Sequence, residues 1–262
     1  MSPALLGLCL LALQRTGETP PPPPAADAVA QVEASLEQAF RSGELGAIQA
    51  ALDAARAVPH PAVVRKVERA LEDERGEVKL AALQTLRWLD HPETLRVLHR
   101  AAKDRKLMQR PELALAVLRA AGQHADPSSI AVLARDPFQL ADASCLRARL
   151  FGLARIRTTE ALRALFGILA TVGNTGQRRI QGQMTDMRIA LVLLTGVDQG
   201  RSPELWEEWW RAHEKTFRLP AEPARLPPEM RAVWDGFWGQ ERSYERGLRR
   251  EDRGLDPPQR EK

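Results

Sequence analysis

Three of the chain's six tryptophans fall within five positions of the stretch SPELWEEWWRAHEKTF, residues 202–217. Indole rings gathered that closely make either an aromatic platform for a ligand or the inside of a packed core. Trp206, Trp210, His213 and Phe217 follow i, i+4, i+7, i+11 spacing and so share one helix face, while Glu204, Glu207, Glu208 and Arg211 cover much of the rest. Trp210 is the candidate binding residue of the group.

Other chemistry-bearing residues are spread thinly. His60, His91 and His124 recur at three successive turns of the chain. Zinc needs its nitrogen ligands about 2.0–2.1 Å away, whereas packed helices lie about 8–10 Å apart. Three such imidazoles cannot share one ion, and a turn-capping role is expected instead. No HExxH or CxxC pattern supports a metal site, GNTGQRR (173–179) lacks the GxxxxGK[ST] spacing that cradles phosphates, and there is no GxSxG elbow. Cys145 stands at an apparent helix start with no motif around it. The other cysteine, Cys9, lies in the apolar N-terminus, so no intramolecular disulfide is expected. No catalytic residue, metal or cofactor is assigned.

Charge is the remaining signal. The chain carries 38 basic and 34 acidic residues, and 32 of the basic ones are arginine. Between Cys145 and Arg188 lie Arg147, Arg149, Arg155, Arg157, Arg163, Arg178, Arg179 and Arg188 against only Glu160 and Asp186, a local excess of +6. Such a field attracts an acidic protein, an anionic polysaccharide or nucleic acid. The competing reading is an ordinary solvated surface whose arginines point from different helix faces. The candidate interaction surface is Arg147, Arg149, Arg155, Arg178, Arg179 and Trp210.

The elements that position these residues come from an internal repeat. AALDAARAVPHPAVVRKVERALED (50–73) aligns without a gap to AALQTLRWLDHPETLRVLHRAAKD (81–104), an offset of 31 with 10 identities in 24 positions. A fixed period of this size marks stacked structural units. Each unit reads as helix, tight turn, helix. Leu80, Leu83, Leu86 and Leu89 give the first helix a face, Asp90-His91-Pro92 breaks it, and Leu95 and Leu98 begin the second stripe. Later units match with drift, through Leu115 and Leu118, Ile130 and Leu133, Leu150 and Leu153, and Leu162 and Leu165. Thr159 stands there as the helix cap. Leu191 and Leu194 continue the series, with Gly196 as a stop, and Pro203 leads to Trp206 and Trp209 as Pro92 leads to Leu95 and Leu98. The register therefore predicts Trp206 and Trp209 at core positions.

Helix pairs of this length and pattern resemble HEAT repeats. The resemblance covers about residues 27–217 and implies an all-α fold, an α-solenoid of antiparallel helix pairs with about five repeats and a C-terminal capping helix. LTGVDQGRSPELWEEWW is also similar to the terminal segment of predicted HEAT-repeat proteins of planctomycete-type bacteria, which carry no known activity. Met230, Val233, Trp234, Phe237 and Trp238 share a face of a short helix within the segment 218–240, expected to fold back over the last repeat. Residues 241–262 are charged and read as a disordered tail.

At the other end, residues 1–13 resemble the apolar core of a secretory signal peptide. The Pro-rich stretch within 14–26 is an extended spacer. Export to the periplasm or outside is expected, with the cytoplasm as the alternative. No run is long enough to span a bilayer, which takes about 20 apolar residues. The reading that follows is a non-enzymatic scaffold binding another macromolecule, with a protein as the expected partner. The alternative is a nucleic-acid or polyanion binder using Arg147–Arg188. A second alternative, a lyase or chaperone-lyase, rests on what some HEAT-like proteins do and on nothing in these residues.

Overall fold

The computed structural model describes residues 24–138, 142–175 and 183–239. The expected signal peptide, the spacer up to residue 23, Arg178, Arg179 and the tail over 241–262 lie outside the described residues. All regular structure among the described residues is helical. In chain order the helices are α1 (Ala26–Ser42), α2 (Leu45–Ala55), α3 (Pro61–Arg69), α4 (Gly76–Trp88), α5 (Pro92–Ala101), α6 (Arg105–Met108) and α7 (Pro111–Gln123). They continue with α8 (Ile130–Ala134), α9 (Ala143–Arg155), α10 (Thr159–Thr175), α11 (Met184–Thr195), α12 (Pro203–His213) and α13 (Pro228–Trp238).

Helix starts follow local chemistry. Pro61 and Pro92 occupy first helical positions, where the missing N–H costs nothing. The residue before each is a histidine whose Nδ1 accepts a backbone N–H, from Ala62 at 3.3 Å and from Glu93 at 3.1 Å. Asp104, Asp126, Asp142 and Ser202 do the same with side-chain oxygens. The helix expected to be capped by Thr159 begins one residue earlier in its chemistry: Thr158 Oγ1 accepts from Ala161 N, and Thr159 is already helical. Gly43 and Gly196 end α1 and α11 with φ of 71° and 74°, a left-handed conformation that glycine adopts without strain.

Packing runs in two rows. One passes from α2 to α4, α7, α9 and α11, each touching the next; in the other, α1 packs on α3 and α3 on α5, then α8 on α10 and α10 on α12. Helix α7 joins the two halves of the molecule. Its residues Leu113, Val117 and Ala120 belong to the apolar cluster shared with α1–α5, while Ala114, Leu118 and Ala121 belong to the cluster that runs on to α13. Both sets follow i, i+4, i+7 spacing, so α7 carries two buried stripes about 100° apart. The most extensive helix–helix contact is α7 on α9, and it is set by two glycines. A β-carbon on Gly122 would lie 2.6 Å from Gly152 Cα, and one on Gly152 would lie 3.1 Å from Gly122 Cα and 3.0 Å from Leu133 Cδ1.

The repeat-core positions divide. Leu83, Leu86, Leu98, Leu118, Leu133, Leu150, Leu153, Leu162, Leu165, Leu191, Leu194 and Trp206 are buried. Leu95, Leu115, Ile130 and Trp209 are only partly covered. The reason is the counting interval. Steps of three residues fall 60° short of a full helical turn, so a series of threes walks off the buried face. On α5 that face is Thr94, Val97, Leu98 and Ala101, and Leu95 sits about 110° from its centre.

Helix α13 borders the last repeat, where Arg231 and Trp234 share a cleft with Leu193 of α11, and it extends further. It reaches back to the middle of the chain, where Trp234 and Phe237 pack against Phe151 of α9 at ring-centroid distances of 5.0 and 5.2 Å. Arg87 of α4 donates to Trp238 O at 3.0 Å, and Arg119 of α7 donates to Phe237 O. Trp238 also closes over the glycine crossing, its Cη2 lying 3.2 Å from where a Gly122 β-carbon would stand. Cations thus meet the carbonyl end of α13, the negative pole of a helix.

Candidate functional site

The dispersed candidates resolve one by one. His60 and His91 are the helix caps described above, and His124 Nε2 lies 2.9 Å from Leu86 O. No cluster of three or more His, Cys, Asp or Glu that could hold a metal lies among the described residues. Cys145 is buried in the first turn of α9, and burial pushes its thiol up to about 11. That leaves almost no thiolate at neutral pH, which nucleophilic chemistry needs.

The basic stretch is not a free cationic face. Arg149 is 4% exposed; its Nη1 donates to Val132 O at 2.9 Å and Leu133 O at 3.0 Å, and burial holds its pKa below the usual arginine range. Arg147 pairs with Asp186 at 3.0 Å, Arg163 with Glu214 at 3.6 Å and Arg188 with Asp198 at 2.5 Å. Two of those three carboxylates lie outside the Cys145–Arg188 window. A charge count along the chain therefore overstated the field that the fold leaves.

Asp186 shows what pairing at depth does. Its carboxyl is 2% exposed and Oδ1 has no hydrogen-bond partner among the described residues. Burial raises its pKa, and the hydrogen bond and charge of Arg147 oppose that rise without cancelling it. A carboxyl with a raised folded pKa contributes its stability fully below the unfolded value of about 3.9 and loses it as pH climbs through the folded value. Asp186→Asn is therefore expected to gain on the wild type as pH rises from 4 to 7, measured by urea unfolding at several pH values. A difference that is flat or falls with pH counts against this account.

The tryptophans form two groups. On α12, Trp206 is fully buried and its Nε1 donates to Gly200 O at 3.0 Å. Trp210 stacks on Phe166 of α10 at 4.5 Å and 8° and lies near Phe217, with no ring contact to Trp234 or Trp238 among the described residues. It stays half-buried, beside Trp209 and near Leu205, which is 49% exposed. The second group, Trp234, Phe237 and Trp238, belongs to α13.

One arginine cluster stands apart. Arg155, Arg157, Arg225 and Arg231 line a cleft of about 390 Å³ between the end of α9, the segment 220–227 and α13. Leu193, Leu226 and Trp234 are among its apolar lining, and Asp235 is its only carboxylate among the described residues. Arg155 was an expected surface residue; Arg225 and Arg231 were not seen in the sequence, because they reach the cleft only through the return of α13. Arg155 donates to Gln123 O at 3.3 Å and lies over the Trp238 ring at 4.8 Å, while its buried Nε has no partner among the described residues. Arg157 donates to Pro220 O at 2.5 Å, and Arg231 to Leu226 O at 3.3 Å.

No helix among the described residues is long and apolar enough to cross a membrane. Compared with known proteins, the chain matches no family model and no curated protein.

Proposed function

We propose that the chain is a non-enzymatic scaffold of HEAT-like helix pairs that binds another protein. The observation that carries this reading is the packing order: in the row α2, α4, α7, α9, α11 each helix rests on the next member, so that surface is extended by adding units. The half-buried rings of Trp209 and Trp210, 6.3 Å apart, with the exposed Leu205 one turn before Trp209 on α12, supply apolar surface of the kind that anchors protein partners. The polyanion reading draws less support, because Arg149 is buried and Arg147, Arg163 and Arg188 are neutralised by carboxylates.

The test begins with the chain immobilised in extract with and without nuclease treatment, followed by identification of what is retained and titration of the purified pair. Trp210→Asp with Leu205→Asp is expected to weaken that pair at least tenfold while the far-UV spectrum holds. Retention of nucleic acid alone, or a purified pair indifferent to the double substitution, overturns the proposal.

A further inference from the structure

We propose that the cleft lined by Arg155, Arg157, Arg225 and Arg231 is a binding site for an oxyanion, carboxylate or phosphate, carried on a compact apolar group. The inference stands independently of the scaffold reading.

Its first support is that four arginines without a carboxylate partner meet at one cleft. Nine other arginines, from Arg41 to Arg188, find a carboxylate within 4.0 Å, while Arg119 and Arg149 outside the cleft are held by backbone carbonyls. None of the four in the cleft finds a carboxylate that close among the described residues. The partners that Arg155, Arg157 and Arg231 do have are backbone carbonyls, which orient a guanidinium without neutralising it. Among the described residues four cations face one carboxylate, Asp235, a net charge of +3. Guanidinium forks match carboxylate and phosphate oxygens in plane and in spacing.

The second support is the shape and its lining. A volume of about 390 Å³ lies within the range of small-ligand sites. Its apolar surface includes Trp234, Leu226 and Leu193, so a bare inorganic anion would leave the floor unused. A larger cleft beneath α9, of about 610 Å³, also holds cations, Lys103, Arg105, Arg135 and Arg149. It brings its own carboxylates, Asp136 and Asp142, and so lacks the same unbalanced charge. The site is assembled late in the sequence, since Arg225 and Arg231 flank the start of α13 while Arg155 and Arg157 end α9.

The experiment titrates the full chain calorimetrically with phenylacetate and phenyl phosphate at constant ionic strength. Phenylacetamide serves as the neutral isostere, and inorganic phosphate as the anion without an apolar group. Saturable one-to-one binding of at least one of the two aromatic anions is expected, at least tenfold tighter than phenylacetamide and than inorganic phosphate. The two anions compared with one another show which oxyanion the forks prefer. A short peptide ending in a free phenylalanine carboxylate, against its amidated form, then tells a chain terminus from a free small molecule as the source. Arg225→Gln with Arg231→Gln removes two cations near the surface and is expected to weaken binding at least tenfold with the melting temperature nearly unchanged. No saturable binding by either aromatic anion, equal binding of phenylacetate and phenylacetamide, or wild-type affinity in the double variant overturns the proposal.

Discussion

Trp206→Ala is expected to destabilise the protein by about 3–5 kcal/mol, the range for emptying a buried large aromatic site. Trp206 has no exposed surface and packs by Phe166 and Trp209 at ring-centroid distances of 6.5 and 6.2 Å. Its indole N–H is also committed to Gly200 O, so truncation leaves that carbonyl without this donor as well as opening a cavity. In a chain of this size such a loss lowers the melting temperature by roughly 10 °C. Trp210→Ala, a change of the same type four residues on, is expected to cost less, because that ring is only partly buried. Denaturant unfolding of the two variants side by side separates the core tryptophan from the surface one. Equal losses would mean that Trp210 is as much a part of the interior as Trp206.

The second large effect is at the glycine crossing. Alanine in place of Gly122 gains about 1 kcal/mol of helix propensity and still is expected to lose about 1–3 kcal/mol overall, as overpacked sites do. The added carbon would stand 2.6 Å from a backbone atom of α9, which cannot swing aside as a side-chain tip can. It would also press on Trp238 from below. Gly152→Ala meets the flexible methyls of Leu133 as well as the α7 backbone at 3.1 Å, a milder conflict. The expected order of stability is wild type, then Gly152→Ala, then Gly122→Ala, read from urea midpoints. Gly122→Val, with two more carbons at the same place, is expected to separate α7 from α9 and lose the cooperative transition.

How much of this was legible in the sequence depends on the range of the interaction. Pro61, Pro92 and Pro203 announced helix starts because proline's constraint is local, and Gly196 announced a stop for the same reason. The burial of Trp206 followed from register alone. Leu95 and Ile130 misled because the repeat was read in threes, whereas the buried stripe on α5 turns with a 3.6-residue period. The basic stretch misled for a different reason: Glu214 and Asp198 pair with Arg163 and Arg188 from beyond the window, and spacing along a chain says nothing of which charges meet in space. The placement of α13 was out of reach. An amphipathic face shows that Trp234 and Trp238 must be covered, not by which surface, and a link of some fourteen residues, 214–227, permits several. Gly122 and Gly152 carried no signal in the sequence; only their mutual contact explains them.

The bond from Arg87 to Trp238 O closes a loop of 151 residues. Rows of helices that touch only their neighbours can fold as the chain emerges, unit by unit from the N-terminus. This clasp breaks that order: α4 and α7 are in place long before the helix that covers them exists. At synthesis rates of about 5–20 residues per second the wait is about 8–30 s. Over its later part, once α9 is made, Phe151 and the α7–α9 crossing lack their cover, and Arg119 and Arg155 lack their partners on α13. The interval from α4 to α13 is thus the period in which the nascent chain most needs shielding, and α13, the last helix among the described residues, is the one that ends it.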